Sequence, residues 1–191
     1  VSDINAAIAF ALAASIIADL QGRAGYPAAA EVTAMAIDPL LEGTEDDPAR
    51  AIITVYAARA HAAGGSDTIA LAMVRDGFAL ADTLEKADLT LLLVVAQAEA
   101  GDVAGALDNV DRRVDGLRRM VALAVIARTQ AEAGDIAGAM KTGALIAEDD
   151  ISRIQAHIDI ALAVGAGDDA AETAIGLASE AADRSGSSID F

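Results

Sequence analysis

A twelve-residue segment occurs twice in this chain, 33 residues apart. Residues 96–107 read AQAEAGDVAGAL, residues 129–140 read TQAEAGDIAGAM, and nine of the twelve positions are identical. Self-similarity at a fixed spacing of this length is typical of proteins built from stacked helical repeats. Each repeat in such proteins contacts mainly its neighbours, and the stack presents an extended surface for binding. The repeat therefore constrains the fold more than any other feature of the sequence.

Weaker similarities extend the repeat to five copies. Residues 61–71 align with residues 97–107 of the first segment at an offset of 36. Residues 21–25 align with residues 61–65 at an offset of 40. Gly167-Asp168 follows Gly134-Asp135 by 33 residues. Each copy thus has one equivalent glycine, called its anchor glycine below: Gly25, Gly65, Gly101, Gly134 and Gly167. The two outer copies are the least regular, as terminal capping repeats tend to be.

Hydrophobic periodicity predicts an all-α fold, because no segment alternates with period two. The pattern within each copy predicts two helices joined by a turn at the anchor glycine. In the fourth copy Gly134 suits the left-handed residue that ends a helix, and Asp135 suits the N-cap of the next one. The ten predicted helices cover residues 3–22, 27–38, 48–63, 67–86, 88–100, 102–113, 117–133, 135–147, 151–164 and 168–184. They form one domain over residues 1–184, with an acidic loop at 43–47 and a flexible tail at 185–191.

Composition excludes several classes of function. The 191 residues carry a net charge of −17, which would repel a phosphate backbone, so nucleic acid is not expected as a partner. The absence of cysteine excludes disulfides and thiolate metal sites. The chain is 54% hydrophobic but only 3% aromatic, so its core depends on many close contacts between small side chains. The acidic bias fits a GC-rich genome and equally fits adaptation to high salt.

The longest apolar run, residues 6–18, predicts a buried first helix and no membrane span. A bilayer core needs about 20 apolar residues, and this run is shorter. Asp3 precedes it and Asp19 follows, so the basic flank of a signal peptide is missing. Val1 fits either removal of an initiator methionine or removal of a leader, so the compartment stays open and a cytoplasmic location is favoured.

The unit resembles a divergent tetratricopeptide repeat. That family has a small residue in the first helix, found here seven positions before the anchor glycine as Ala58 and Ala127, with Val94 between them. The family's alanine five residues after the glycine is present in three copies: Gly65/Ala70, Gly101/Ala106 and Gly134/Ala139. The family's aromatic residues and closing proline are absent. The resemblance covers residues 20–175 and implies a right-handed α-solenoid of about five antiparallel helix pairs.

In that family the first helices line a concave groove that binds other proteins. Carried over position by position, the resemblance places an apolar stripe with isolated charges on the groove side: Ile52, Val55 and Arg59 in the second copy; Asp88, Leu91, Val95 and Glu99 in the third; Val121, Ala124, Arg128 and Glu132 in the fourth. Such a stripe suits an amphipathic helix or an extended apolar peptide. The alternative is that these residues pack against neighbouring copies or against a second chain.

The two histidines are candidate catalytic residues, but the repeat predicts structural roles for both. His61 occupies the position that Gln97 and Gln130 hold in other copies, which favours a hydrogen-bonding role between helices. His157 has no cysteine or second histidine at metal-ligand spacing, so a partly buried helix position is favoured over a metal site.

Two further motifs fail as binding sites. Residues 164–170, VGAGDDA, match the dinucleotide pattern GxGxxA, but too little chain follows for the required βαβ unit. Residues 108–116, DNVDRRVDG, lack the residue order and closing glutamate of a calcium loop. The pairs Asp46-Asp47 and Asp149-Asp150 are predicted to start helices rather than to bind a specific cation.

A basic cluster lies between the third and fourth copies. It consists of four arginines: Arg112, Arg113, Arg118 and Arg119. Pairing with the aspartates at 108, 111 and 115 is the simpler interpretation. The alternative is a docking site for an acidic segment of a partner.

These observations predict a non-enzymatic scaffold or adaptor that binds a partner segment in its groove. The alternative is a structural subunit that packs its alanine-rich faces into a homo-oligomer or a larger complex. No nucleophile–base pair, metal set or phosphate loop is recognisable, so neither an enzyme nor a cofactor is expected.

Overall fold

The computed structural model describes residues 4–146, 151–164 and 169–185, and every regular element in these ranges is a helix. There are eleven in the described chain: α1 (Ile4–Arg23), α2 (Pro27–Met35), α3 (Asp38–Gly43), α4 (Asp47–Ala63), α5 (Asp67–Leu84), α6 (Ala87–Glu99), α7 (Val103–Arg113), α8 (Gly116–Glu132), α9 (Ile136–Gly143), α10 (Ile151–Val164) and α11 (Asp169–Ser185). The prediction of an all-α fold is confirmed, and ten helices match the predicted segments closely.

The short helix α3 is the one element that the sequence analysis missed. All three prolines of the chain lie within the first two positions of a helix, at the starts of α2, α3 and α4. A proline is favoured there because its missing N–H would have no intrahelical partner. Pro39 therefore marks a helix start between the predicted helix 27–38 and the predicted acidic loop 43–47, where no element was predicted.

The chain divides into two compact units, residues 1–106 and 107–191. In the first unit, α1 packs against α2 and α4, and α4 packs against α5 and α6. In the second unit, α8 packs against α9 and α10, and α10 packs against α11. Within each unit a first helix therefore contacts both its own second helix and the first helix of the next copy. The single domain predicted over residues 1–184 stays a prediction.

Four anchor glycines adopt the same bend. Gly25, Gly65, Gly101 and Gly134 have φ between 80° and 86°, a left-handed conformation that glycine adopts without steric cost. At Gly134 the glycine N–H donates to the carbonyl of Ala131 and the next N–H donates to the carbonyl of Gln130. The same pair of hydrogen bonds closes the other three turns, so each is a Schellman motif. Gly167 lies outside the described residues.

The small residues that define the repeat are buried. The alanines five positions after the anchor glycines have no exposed surface in four copies: Ala30, Ala70, Ala106 and Ala139. The residues seven positions before those glycines are equally buried: Ala18, Ala58, Val94 and Ala127. Because a small side chain lets two helix backbones approach closely, these positions suit the contacts of α1 with α2, of α4 with α5 and of α8 with α9.

A polar network behind the turn explains why the twelve-residue segment is nearly invariant. The Asp102 carboxylate accepts hydrogen bonds from the Gln97 amide, at 2.7 Å, and from the Gly105 backbone N–H, at 3.0 Å. Asp135 accepts the same two bonds from Gln130 and Gly138, at 3.3 and 2.9 Å. The predicted N-cap role of Asp135 is confirmed.

The third member of this network is a glycine, which leaves room for the two side chains. A Cβ at Gly105 or Gly138 would collide with the carboxylate and the amide of its own copy. The glutamine, the aspartate and the second glycine that the two segments share therefore form one hydrogen-bonded unit in each copy.

The prediction of a buried first helix is wrong for most of α1. Only 22% of its most apolar window is buried. Ala11, Ala14 and Ala18 pack against the core, whereas the opposite side of the helix faces outward. Among the described helices, α1 alone is long and apolar enough to cross a membrane by length and composition.

Candidate functional site

The structure gives the predicted groove residues very different accessibilities. Val55 has no exposed surface and Val95 is 7% exposed, so both belong to the core and are removed from the candidate contact residues. Ala124 is buried as well. Ile52, Arg59, Leu91, Glu99 and Arg128 are half-buried, and Asp88, Val121 and Glu132 are exposed.

Two predicted groove residues on neighbouring first helices form an ion pair. Arg59 on α4 donates from Nε and Nη2 to the Glu99 carboxylate on α6, at 2.7 and 2.9 Å. Burial alone would lower the pKa of Arg59, but the hydrogen bond and charge of Glu99, with the charge of Asp19, raise it above its ordinary value. A bidentate pair of this kind aligns two planar groups and resists separation. The pair therefore fixes α4 against α6 and leaves little charge free for a partner.

An apolar pocket of about 380 Å³ lies where the N-terminal halves of α4 and α6 meet the end of α5. We call it the α4–α6 pocket, and its lining residues are Pro48, Ile52, Tyr56, Leu84, Lys86, Asp88, Leu89 and Leu92. Ile52 and Asp88 were predicted from the sequence as groove residues. The pocket combines an apolar base with one cation and one carboxylate at its rim, the composition expected of a site that holds an apolar side chain.

A second cavity, of about 630 Å³, lies between α3, α4 and α5. Its walls include Leu41, Met73 and Leu80, together with Arg50 and Asp76. Arg50 already pairs with Asp47 at 2.7 Å, and Asp76 pairs with Arg75 at 3.2 Å. This cavity contains no residue that the sequence analysis predicted to bind a partner.

Most of the residues around the α4–α6 pocket were missed by sequence reasoning. Tyr56, Leu84, Lys86, Leu89 and Leu92 lie outside the positions carried over from the family. One signal could have found Tyr56, because aromatic residues are only 3% of this chain and Tyr56 is one turn after Ile52. Leu84 is the last residue of the second helix α5, and Lys86 is the N-cap residue of α6; the groove positions of the family include neither.

His61 is a structural residue whose two ring nitrogens both face carboxylates. Nδ1 lies 3.2 Å from Glu31 on α2, and Nε2 lies 3.1 Å from Asp38 on α3. The ring itself is 1% exposed. Each ring nitrogen is therefore within hydrogen-bonding distance of a carboxylate on a different helix. His61 thus links α4 to the two preceding helices, in agreement with its predicted role.

His157 is buried on α10, and no described residue forms a hydrogen bond with its ring. It is 1% exposed, and neither ring nitrogen has a partner among the described residues. The ring lies against Gly143 of α9, where an added Cβ would be 3.3 Å from its Cε1 atom. Burial lowers the pKa of His157, and the nearby charge of Arg153 lowers it further. The ring is therefore a neutral packing element in the folded chain.

This burial makes the second unit sensitive to acid. Because the pKa of His157 is lower in the folded chain than its unfolded value of about 6.5, the unfolded chain binds a proton that the folded chain does not. Stability is complete above pH ~6.5 and falls below it, by at most about 1.4 kcal/mol per pH unit. We expect His157→Leu to flatten this part of a urea-unfolding profile. Parallel profiles for wild type and His157→Leu would contradict the assignment.

The four clustered arginines are engaged with nearby groups. Arg112 pairs with Asp108 at 2.9 Å, and Arg119 pairs with Asp111 at 2.7 Å. Arg113 and Arg118 also take part in polar interactions. These contacts support local pairing over a docking site for an acidic segment, although the Arg112 pair is largely exposed and contributes little stability.

The remaining candidate motifs have other roles or lie outside the described residues. Residues 108–113 belong to α7, so the stretch 108–116 does not form a calcium-binding loop. Asp46 caps α4 by accepting from the Ala49 N–H at 2.9 Å. The GxGxxA glycines and Asp149-Asp150 lie outside the described residues. No group of three or more potential metal-ligating side chains occurs in the described part of the chain.

Comparison of the chain with protein-family models, with curated proteins and with solved structures gives no match.

Proposed function

We propose that this protein is a non-enzymatic helical-repeat adaptor that binds a partner segment at the α4–α6 pocket. The observation that carries the proposal is the pocket itself, an apolar recess on the first-helix side of the second and third copies. Four equivalent glycine turns and the buried small residues support a tetratricopeptide-like solenoid of helix pairs. In such a solenoid the first helices form the binding surface. This function rests on the site and on analogy with the repeat architecture.

The chemistry of the pocket selects the kind of segment. Ile52, Tyr56 and Leu92 are half-buried, so they present apolar area while remaining anchored in the unit. Lys86 and Asp88 are exposed at the rim and can fix the direction of a bound backbone or side chain. The net charge of −17 attracts basic partners and repels acidic ones over long range. A basic amphipathic helix that inserts one large apolar side chain fits these properties best.

Ile52→Glu tests the proposal directly. Peptides selected from a displayed library on the wild-type chain are expected to be apolar and basic. Ile52→Glu is expected to weaken them at least tenfold, because a carboxylate would enter the apolar recess. Binding can be measured by fluorescence anisotropy, with Leu162→Glu on α10 as the control, since Leu162 is 75% exposed and remote in sequence from the pocket. Failure to enrich any peptide, or equal binding by both variants, would refute the proposed site.

The second candidate function is that of a structural subunit. The broad apolar side of α1 favours it, since Phe10, Ile16 and Leu20 are each at least half exposed. A soluble chain rarely leaves such a surface uncovered. The two functions use different surfaces, and they are therefore separable by mutation.

A further inference from the structure

The outward side of α1 carries an apolar surface, with the exposed ion pair of Arg23 and Asp19 near its C-terminal end. Five large side chains on this side are between 40% and 61% exposed: Phe10, Leu12, Ile16, Ile17 and Leu20. Ala9 and Ala13 are exposed between them. No charged residue occurs from Ile4 to Ala18. We define these seven residues as the α1 face.

The equivalent positions in the next two copies are covered by other helices. Ala13, Ile17 and Leu20 align with Ile53, Ala57 and Ala60 of α4 at the offset of 40. Those three residues are fully buried, in a cluster that includes the inner side of α1. The corresponding residues of α6 at the further offset of 36 are Leu89, Leu93 and Ala96, which are 6%, 0% and 0% exposed. These positions are therefore buried in the next two copies, where Ile53 clusters with the inner side of α1 and Leu93 contacts Gly77 of α5, whereas on α1 they are exposed.

We propose that the α1 face joins two copies of this chain in a two-fold symmetric dimer, with the two α1 helices antiparallel. Ala13 lies at the middle of the helix and of the face, so two such helices can approach closely at the symmetry axis. The bulkier Phe10, Ile16, Ile17 and Leu20 surround this point and would interdigitate with their counterparts.

The size of the apolar surface favours a second copy as the occupant. The net charge of −17 opposes the association of two chains at long range, and the α1 face, with no charged residue from Ile4 to Ala18, adds nothing to that repulsion. Five large side chains about half exposed leave several hundred Å² of apolar surface, which approaches the ~800 Å² per partner of a stable interface. On the last two helices only Leu162 and Ile175 are exposed large hydrophobic residues in the described range. That surface is less suited to a head-to-tail contact with the α1 face.

Light scattering on the intact chain tests the dimer. We expect a mass twice the 19.2 kDa of one chain at micromolar concentration. Ile16→Glu and Leu20→Glu are expected to raise the dissociation constant about 100-fold or more, because each change places two carboxylates in one apolar interface. Both positions face outward, so helical circular dichroism should be unchanged. Leu162→Glu is the matched control and should remain dimeric.

A cross-link tests the symmetry, and the cysteine-free chain makes it specific. Ala13→Cys should form a disulfide-linked dimer on mild oxidation, since residue 13 of each copy meets its counterpart near the axis, whereas Leu162→Cys should not. A wild-type monomer, a dimer insensitive to both glutamate variants, or a mass that keeps growing with concentration would each overturn the proposal. A monomer that floats with phosphatidylcholine vesicles would also overturn it and would assign the α1 face to a membrane surface.

Discussion

Replacing Leu93 by alanine is expected to lower the free energy of unfolding by about 2–5 kcal/mol, among the largest effects of a single substitution in this chain. Leu93 on α6 has no exposed surface, and its Cδ2 atom fills the space above Gly77 of α5. Because glycine has no side chain that could move into the vacated volume, the cavity should persist. Urea unfolding followed by circular dichroism measures the loss, with Leu162→Ala as the exposed control.

A double substitution tests the same contact more stringently. A Cβ at Gly77 would collide with Leu93, so Gly77→Ala alone should also destabilise the fold. When both changes are combined, the new methyl group enters the cavity left by Leu93. The double variant should then be more stable than the sum of the single effects predicts, by roughly 1 kcal/mol or more. Strictly additive effects would show that the two helices do not meet at this point.

The second large effect is expected for Gly64→Ala. A Cβ at this position would lie 2.6 Å from the Glu31 carboxylate and 2.9 Å from both the backbone N and the Cα of Glu31. Backbone atoms cannot turn aside as a side chain can, so α2 would have to move away from the end of α4. We expect a loss of about 3 kcal/mol, seen as a fall in melting temperature of several degrees. The displacement should also weaken the contact of Glu31 with His61.

Gly43→Ala is the matched control for this prediction. Gly43 lies in helix α3, and an added Cβ there would have no atom within 4 Å. Alanine restricts the unfolded chain more than glycine does, so this variant should be as stable as wild type or slightly more so. Gly64 has a right-handed φ of −79°, so backbone strain contributes nothing to the expected difference. Equal stability of the two variants would contradict the close approach of α2 to α4.

Local sequence signals predicted most of the fold. The glycine turns were predictable because a left-handed residue and its two hydrogen bonds involve only neighbouring residues. The Asp135 cap was predictable for the same reason. The helix at Asp38–Gly43 was missed because six residues contain too little periodicity to reveal a helix. The groove residues were predicted by family position, and Val55 shows the weakness of that procedure, since a shift of one residue around a helix exchanges surface for core.

The sequence by itself determined the helices, the turns at the anchor glycines and the small residues where helices meet, since all of these follow from interactions within a few residues. Only the tertiary structure decided which surfaces are available. It brought Arg59 to Glu99 across 40 residues of sequence, formed a pocket from three helices, and left one side of α1 bare. Accessibility depends on which other segments cover a side chain, and that is a property of the packed chain rather than of any local stretch.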